Sequence, residues 1–180
     1  LGSENQALPG FFTIKPTRIF GGPANYGSAF LPSTYQATRI GWGWPSERWG
    51  TIRNLAASHG LTAEAAKQSL ALAQTMNQQL LSQTQDVRGV IDSLNLSERM
   101  QHAVPEVMDI AAESPETLEA YGAQPGQASF ANNCLLARRL AERDVRFTQI
   151  FHRGWDQHEI LPTNLTKQCR DIDQACAGLI

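Results

Sequence analysis

Apolar positions along the chain fall into three regimes. In residues 1 to 60 they are scattered among glycines and prolines, among them Pro9, Gly10, Pro16, Gly21, Gly22, Pro23, Gly27, Pro32, Gly41, Gly43 and Pro45. Punctuation this dense excludes long elements. One short strand is expected at Phe11-Phe12-Thr13-Ile14, aromatic and β-branched residues set between Pro9-Gly10 and Pro16. Trp42, Trp44 and Trp49 stand beside Arg39, Arg48 and Arg53. So many large rings mark a segment that packs onto something, either the same domain or residues outside this chain.

Residues 62 to 104 change to helical spacing. Thr62 is an N-cap ahead of the helix formers Ala63-Glu64-Ala65-Ala66-Lys67. Leu70, Ala73, Met76, Leu80 and Leu81 form a stripe at steps of three and four, ending near Gln83. A second helix is expected from about Val87 to Val104, with Val90, Ile91, Leu94 and Leu96 inward. Pro105 stops it or opens the next turn. Two helices so closely joined predict an antiparallel hairpin.

Residues 114 to 180 alternate. Ser114-Pro115-Glu116 combines a capping hydroxyl, a proline at the first helical position and an acid in the first turn. The short helix runs to Tyr121 and closes at Gly122. A helix over Phe130 to Arg143 buries Leu135, Leu136, Ala137 and Leu140. Val145 to Phe151 then alternates apolar and polar as one strong strand. A loop from His152 to His158 follows it, and a helix from Asn164 to Ile180. The fold class predicted is α/β, mostly helical, with the last part an α–β–loop–α unit of an open sheet. A lone strand would leave its backbone groups unpaired, so this piece in isolation is expected to be poorly stable or to self-associate.

Composition narrows the function classes. The 180 residues suit one domain or a large piece of one. Apolar residues make up 42%, too many for a disordered chain. The net charge of −2 argues against nucleic acid, which calls for a clustered basic surface. No apolar run is long enough to span a membrane. The chain opens on Leu1 with no export signal and closes on the apolar run Ala175 to Ile180, which reads as an internal fragment of a longer protein.

Chemistry concentrates in the loop after the strand. In open α/β sheets ligands bind beyond the carboxyl ends of strands. Asp156 and His158 stand there two residues apart, with His152 six residues before His158. A carboxylate and a neutral imidazole on one turn can both face a divalent cation. The competing reading is a local side-chain hydrogen bond. His152 is a partner of the site, a substrate contact or a solvated loop residue. His59 reads as surface, and His102 as a complement to a helix dipole. The Gly21 to Ser28 stretch fits neither dinucleotide nor P-loop patterns and reads as a turn.

Cys169 and Cys176 lie two helical turns apart, about 10 Å, too far to bridge. Cys134 reads as a buried small apolar residue. There is no Gly-x-Ser-x-Gly elbow and no Cys-x-Pro-x-Arg context for a modified nucleophile. Arg138, Arg139 and Arg143 read as a solvated helix face that pairs with Glu142 and Asp144.

Several stretches, in order along nearly the whole chain, carry a family resemblance. They are Leu1-Gly2-Ser3-Glu4-Asn5-Gln6 through Leu8-Pro9-Gly10-Phe11, and Asn25 to Pro32. Further on come Arg99-Met100-Gln101, Pro105 to Asp109, Tyr121-Gly122, Leu135 to Phe147, Gly154-Trp155-Asp156-Gln157-His158 and Asp171-Ile172-Asp173-Gln174. The chain resembles the domain-of-unknown-function 1501 proteins, abundant in planctomycetes and related bacteria. The stretch Gly41 to Arg53 departs from any motif of theirs.

The resemblance implies a partial sulfatase-like fold of the alkaline phosphatase superfamily. Members of that superfamily hydrolyse phosphate or sulfate esters at one- or two-metal sites. It places the family's Trp-Asp-x-His motif on Trp155, Asp156 and His158, with Asp156 and His158 as ligands to a divalent metal (Zn, Ca, Mg or Mn). His152 and Arg153 would contact the anionic ester, a sulfated or phosphorylated carbohydrate being one such substrate. Export to the periplasm or cell envelope is implied as well. The family's early Gly-Gly-rich strand and its later Glu-Phe-Gly-Arg-Thr and Asp-His segments are missing, so a complete active site is not expected here. The competing expectations are a non-catalytic cell-envelope binding or scaffold relative, for which the aromatic-rich early segment speaks, and a small helical regulator.

Overall fold

A computed structural model describes residues 5, 7–15, 22–41, 52, 62, 64–65, 68–69, 71–72, 75 and 85–180. The predicted Trp42–Trp44–Trp49 cluster, His59 and all five residues of the stripe, Leu70, Ala73, Met76, Leu80 and Leu81, lie outside them. The described positions 64, 65, 68, 69, 71, 72 and 75 are helical, and the Ala65 N–H donates to Thr62 Oγ1 at 3.2 Å as an N-cap should.

The chain is mixed α/β, mostly helical with a small parallel sheet. Strands β1 (Phe11–Ile14), β2 (Thr38–Ile40) and β3 (Phe147–Ile150) run parallel in the order β2-β1-β3. The strand expected to stand alone is therefore paired: Phe11 aligns with Phe147, and Ile14 aligns with both Ile40 and Ile150. Sequence periodicity missed β2, because three residues are too few to display alternation.

Among the described residues four α-helices can be given bounds: α1 (Gln85–Met108), α2 (Pro115–Tyr121), α3 (Phe130–Ala141) and α4 (Leu161–Leu179). Alternation along β1 sends Phe12 and Ile14 into a core with Ile40, Met100, Val104 and Val107 of α1, and Leu136 and Leu140 of α3. Each such buried side chain contributes about 2 kcal/mol. A second core joins Tyr121, Cys134, Leu135 and Ala175, so α3 is buried on both flanks. The side chains of Val90, Ile91, Leu94 and His102 lie outside the described residues; Leu96 packs at the edge of the first core.

The predicted cap of α2 is present. Ser114 Oγ accepts from the Thr117 N–H, and Gly122 closes the helix at φ 67°. Three expectations are corrected. Pro105 does not end α1, which continues to Met108. Its missing N–H costs one helical hydrogen bond, and the last turn is held from outside instead. Arg139 Nε donates to the Val107 carbonyl at 2.9 Å and Nη2 to the Glu106 carbonyl at 2.8 Å, while Nη1 pairs with the Glu113 carboxylate. The arginines of α3 are thus not simply a solvated face. Arg138 does pair with Glu142 as expected, at 2.8 Å, but Arg139 is buried in this clamp. Finally, α4 begins at Leu161 rather than Asn164, after Ile160 in a left-handed conformation at φ 49°.

Candidate functional site

Register puts Ile14, Ile40 and Ile150 in one row, so the carboxyl ends of all three strands open on the same edge. The loop after β3 starts there. The Phe151 N–H donates to the Ile14 carbonyl at 3.2 Å, which extends the pairing by one residue before the chain departs.

His152 comes next and is wedged between two rings. Phe130, at the start of α3, meets it edge-on at 5.0 Å, and Trp155 at 5.7 Å. Its Nδ1 is buried and has no hydrogen-bond partner among the described residues. Burial pushes its pKa down, with Lys15 acting in the same direction and Asp171 opposing. His152 is therefore not the freely solvated loop residue of the plainest reading.

Two contacts shape the turn beyond it. Gln168 of α4 donates through Nε2 to the Arg153 carbonyl at 2.6 Å. Gly154 sits at φ 92°, and a Cβ there would collide with the same Gln168 side chain. Glycine is what lets this loop lie against α4. Gln157 then reaches back to donate to the Gly154 carbonyl. The closed turn sets Asp156 and His158 side by side, with His158 Nε2 at 2.8 Å from Asp156 Oδ1. Both side chains are open to solvent, at 82% and 79% exposure.

Asp156 and His158, singled out in the sequence, thus meet in space, in the local side-chain contact of the competing reading. The sequence did not foresee that their contact would be so exposed. Among the described residues no hydrogen bond or ion pair joins His152 or Arg153 to the pair. Nor does any group of three or more His, Cys, Asp or Glu side chains gather there as a metal site. A carboxylate oxygen and an imidazole nitrogen are donors that a borderline or hard divalent cation accepts, but it takes four or more, and these two are bonded to each other. What is described is half a coordination sphere at most.

Remaining groups divide into buried and solvated. Asn132 of α3 is fully buried and was not singled out from the sequence. Its Oδ1 accepts from the Gln124 N–H at 2.8 Å, and Nδ2 donates to the Gln124 and Gln127 carbonyls, both at 2.6 Å. Asn132 therefore anchors the α2–α3 loop. The cysteines are free; Cys134 is buried, which pushes its thiol up to about 12, and Cys169 is exposed. No described helix is long and apolar enough to cross a membrane.

One comparison with known proteins is informative. The family model described as "Protein of unknown function (DUF1501)" matches residues 1–180. No curated protein and no solved structure matches the chain.

Proposed function

The chain belongs to the DUF1501 family, and we propose on that premise that it is part of a metal-dependent hydrolase of sulfate or phosphate esters with a sulfatase-like fold. The observation that carries the reading is the Asp156–His158 pair: two donors 2.8 Å apart, solvent-facing, beyond the carboxyl end of a parallel strand. To bind a divalent cation, His158 would exchange its bond to Asp156 for one to the metal, and the remaining ligands would come from outside the described residues. When bound, the metal would act as a Lewis acid on the ester oxygens. Arg153, exposed on the same loop, would meet the anionic ester. His152, held between Phe130 and Trp155, would orient the loop's Trp155 rather than bind metal. Export to the cell envelope and membership of the alkaline phosphatase superfamily go with this reading; a small parallel sheet flanked by helices supports it.

The test is metal content and aryl sulfate or aryl phosphate hydrolysis by the full-length protein, before and after Asp156→Ala. Loss of metal and of turnover together is the expected result. Unchanged metal stoichiometry in the variant would remove the pair from the site. The exposure of the pair favours a second reading, a binding or scaffold relative in which Asp156 and His158 only brace the turn. That reading predicts no metal in either protein.

A further inference from the structure

The opposite edge of the sheet carries a cleft that the loop chemistry does not use. About 800 Å3 in volume, it opens beside the amino ends of β1 and β3, and Phe11, Phe147, Gln149, Tyr35, Arg99 and Arg146 contribute to its lining. Its size is that of a small-molecule site. Arg99 projects from α1 and Arg146 from the residue before β3, so two separate elements bring guanidinium groups to one opening. Among the described residues neither has a hydrogen-bond or ion-pair partner, unlike Arg138, Arg139 and Arg143, which are all paired. Asp92 is the one carboxylate among the described residues of the lining, which leaves those residues a surplus of one positive charge. Phe147 stands edge to face with Phe11 at 6.5 Å and keeps 56% of its surface exposed. Beside it Thr148 holds a buried hydroxyl with no partner among the described residues.

We propose that this cleft binds an acidic saccharide, a uronate-bearing oligosaccharide, through Arg99, Arg146 and Phe147. The three requirements of such a ligand are met by different groups. A carboxylate is planar and accepts two parallel N–H bonds, which is the geometry a guanidinium fork offers. A pyranose ring has one face of C–H groups, and an exposed aromatic ring covers it at low entropic cost. Ring hydroxyls both donate and accept, as do the Gln149 amide and the Tyr35 hydroxyl. A simple aromatic acid would use the arginines and the ring and leave the neutral polar lining unmatched. The cleft lies at the other end of the strands from Asp156, so this inference stands apart from the hydrolase reading.

Calorimetry on the full-length protein tests it with three probes: tetragalacturonate, its methyl ester and acetate. Tetragalacturonate is expected to bind, with the uncharged ester about tenfold weaker or worse and acetate without measurable heat. Arg99→Gln, Arg146→Gln and Phe147→Ala, all at exposed positions, should each weaken binding about tenfold. Asp156→Ala should leave it unchanged. Absence of tetragalacturonate binding overturns the proposal. So does equal affinity for the ester, or full affinity in all three cleft variants with their thermal melts intact.

Discussion

Two polar constellations flank β3 in sequence and have opposite weight in the molecule. Before the strand, on α3, Arg139 and Asn132 are buried, and each satisfies several backbone groups of a neighbouring segment. After it, Asp156 and His158 meet at the same kind of distance but stand almost wholly in water. A contact of 2.8 Å says little about energy. A hydrogen bond inside a low-dielectric core is costly to break, because its partner is left unsatisfied; the same bond in solvent is exchanged for water. Residue type drew attention to the loop, whereas burial locates the structural stress on α3.

The largest effect should come from Arg139→Met. The substitution keeps most of the stem's packing and removes the guanidinium. The Glu106 and Val107 carbonyls then lose this donor, and among the described residues Glu113 keeps Arg138 at 3.6 Å. A destabilisation of about 3 kcal/mol is expected in urea unfolding. Arg138→Met, which removes a partly exposed pair with Glu142, should cost less than about 1 kcal/mol. Equal costs for the two variants would erase the contrast between the buried and the solvated arginine.

Neighbouring positions on α3 also show what was legible in the sequence. The apolar stripe Leu135, Leu136, Leu140 announced a buried helix, and the spacing of Ser114, Pro115 and Gly122 announced both ends of α2, because those signals are local. Arg139 read as surface since its partners, Glu106, Val107 and Glu113, are 26 to 33 residues away and nothing local marks them. The same holds for β2, whose identity rests on pairing with Phe12 to Ile14 rather than on its own pattern. In the loop, the proximity of Asp156 and His158 was readable because a single residue, Gln157, separates them. Their exposure was not, since it depends on Gly154 and Gln168 laying the turn against α4.

His152 lies between the extremes, half-buried beside two rings, and its effect on stability should be smaller and dependent on pH. Burial holds its pKa below the ordinary histidine value, so the unfolded chain binds a proton more readily than the folded one. Stability from the neutral ring is then fully present above the unfolded pKa of about 6.5 and is lost as pH falls through it toward the folded value. Asp171 softens the loss and Lys15 sharpens it. The melting temperature should fall between about pH 7 and pH 5, and His152→Gln should flatten that part of the profile. A variant whose profile overlays the parent's would show that His152 is as solvated as Asp156.

The smallest effect belongs to the pair that carries the proposed chemistry. Asp156→Ala removes one exposed carboxylate whose only described partner is an equally exposed imidazole. Water replaces both groups' contacts at little cost, and the turn keeps its other ties, Gln157 to the Gly154 carbonyl and Gln168 to the Arg153 carbonyl. Stability should change by no more than about 0.5 kcal/mol, measured in chelator so that any metal contribution is absent. A cost of several kcal/mol under those conditions would mean that the pair braces the loop as Arg139 braces α1. The loop would then be a structural element, and the scaffold reading would gain what the hydrolase reading loses. A near-zero cost leaves the carboxylate free of any structural duty, which is what a group that gives up its contact with His158 for a cation requires.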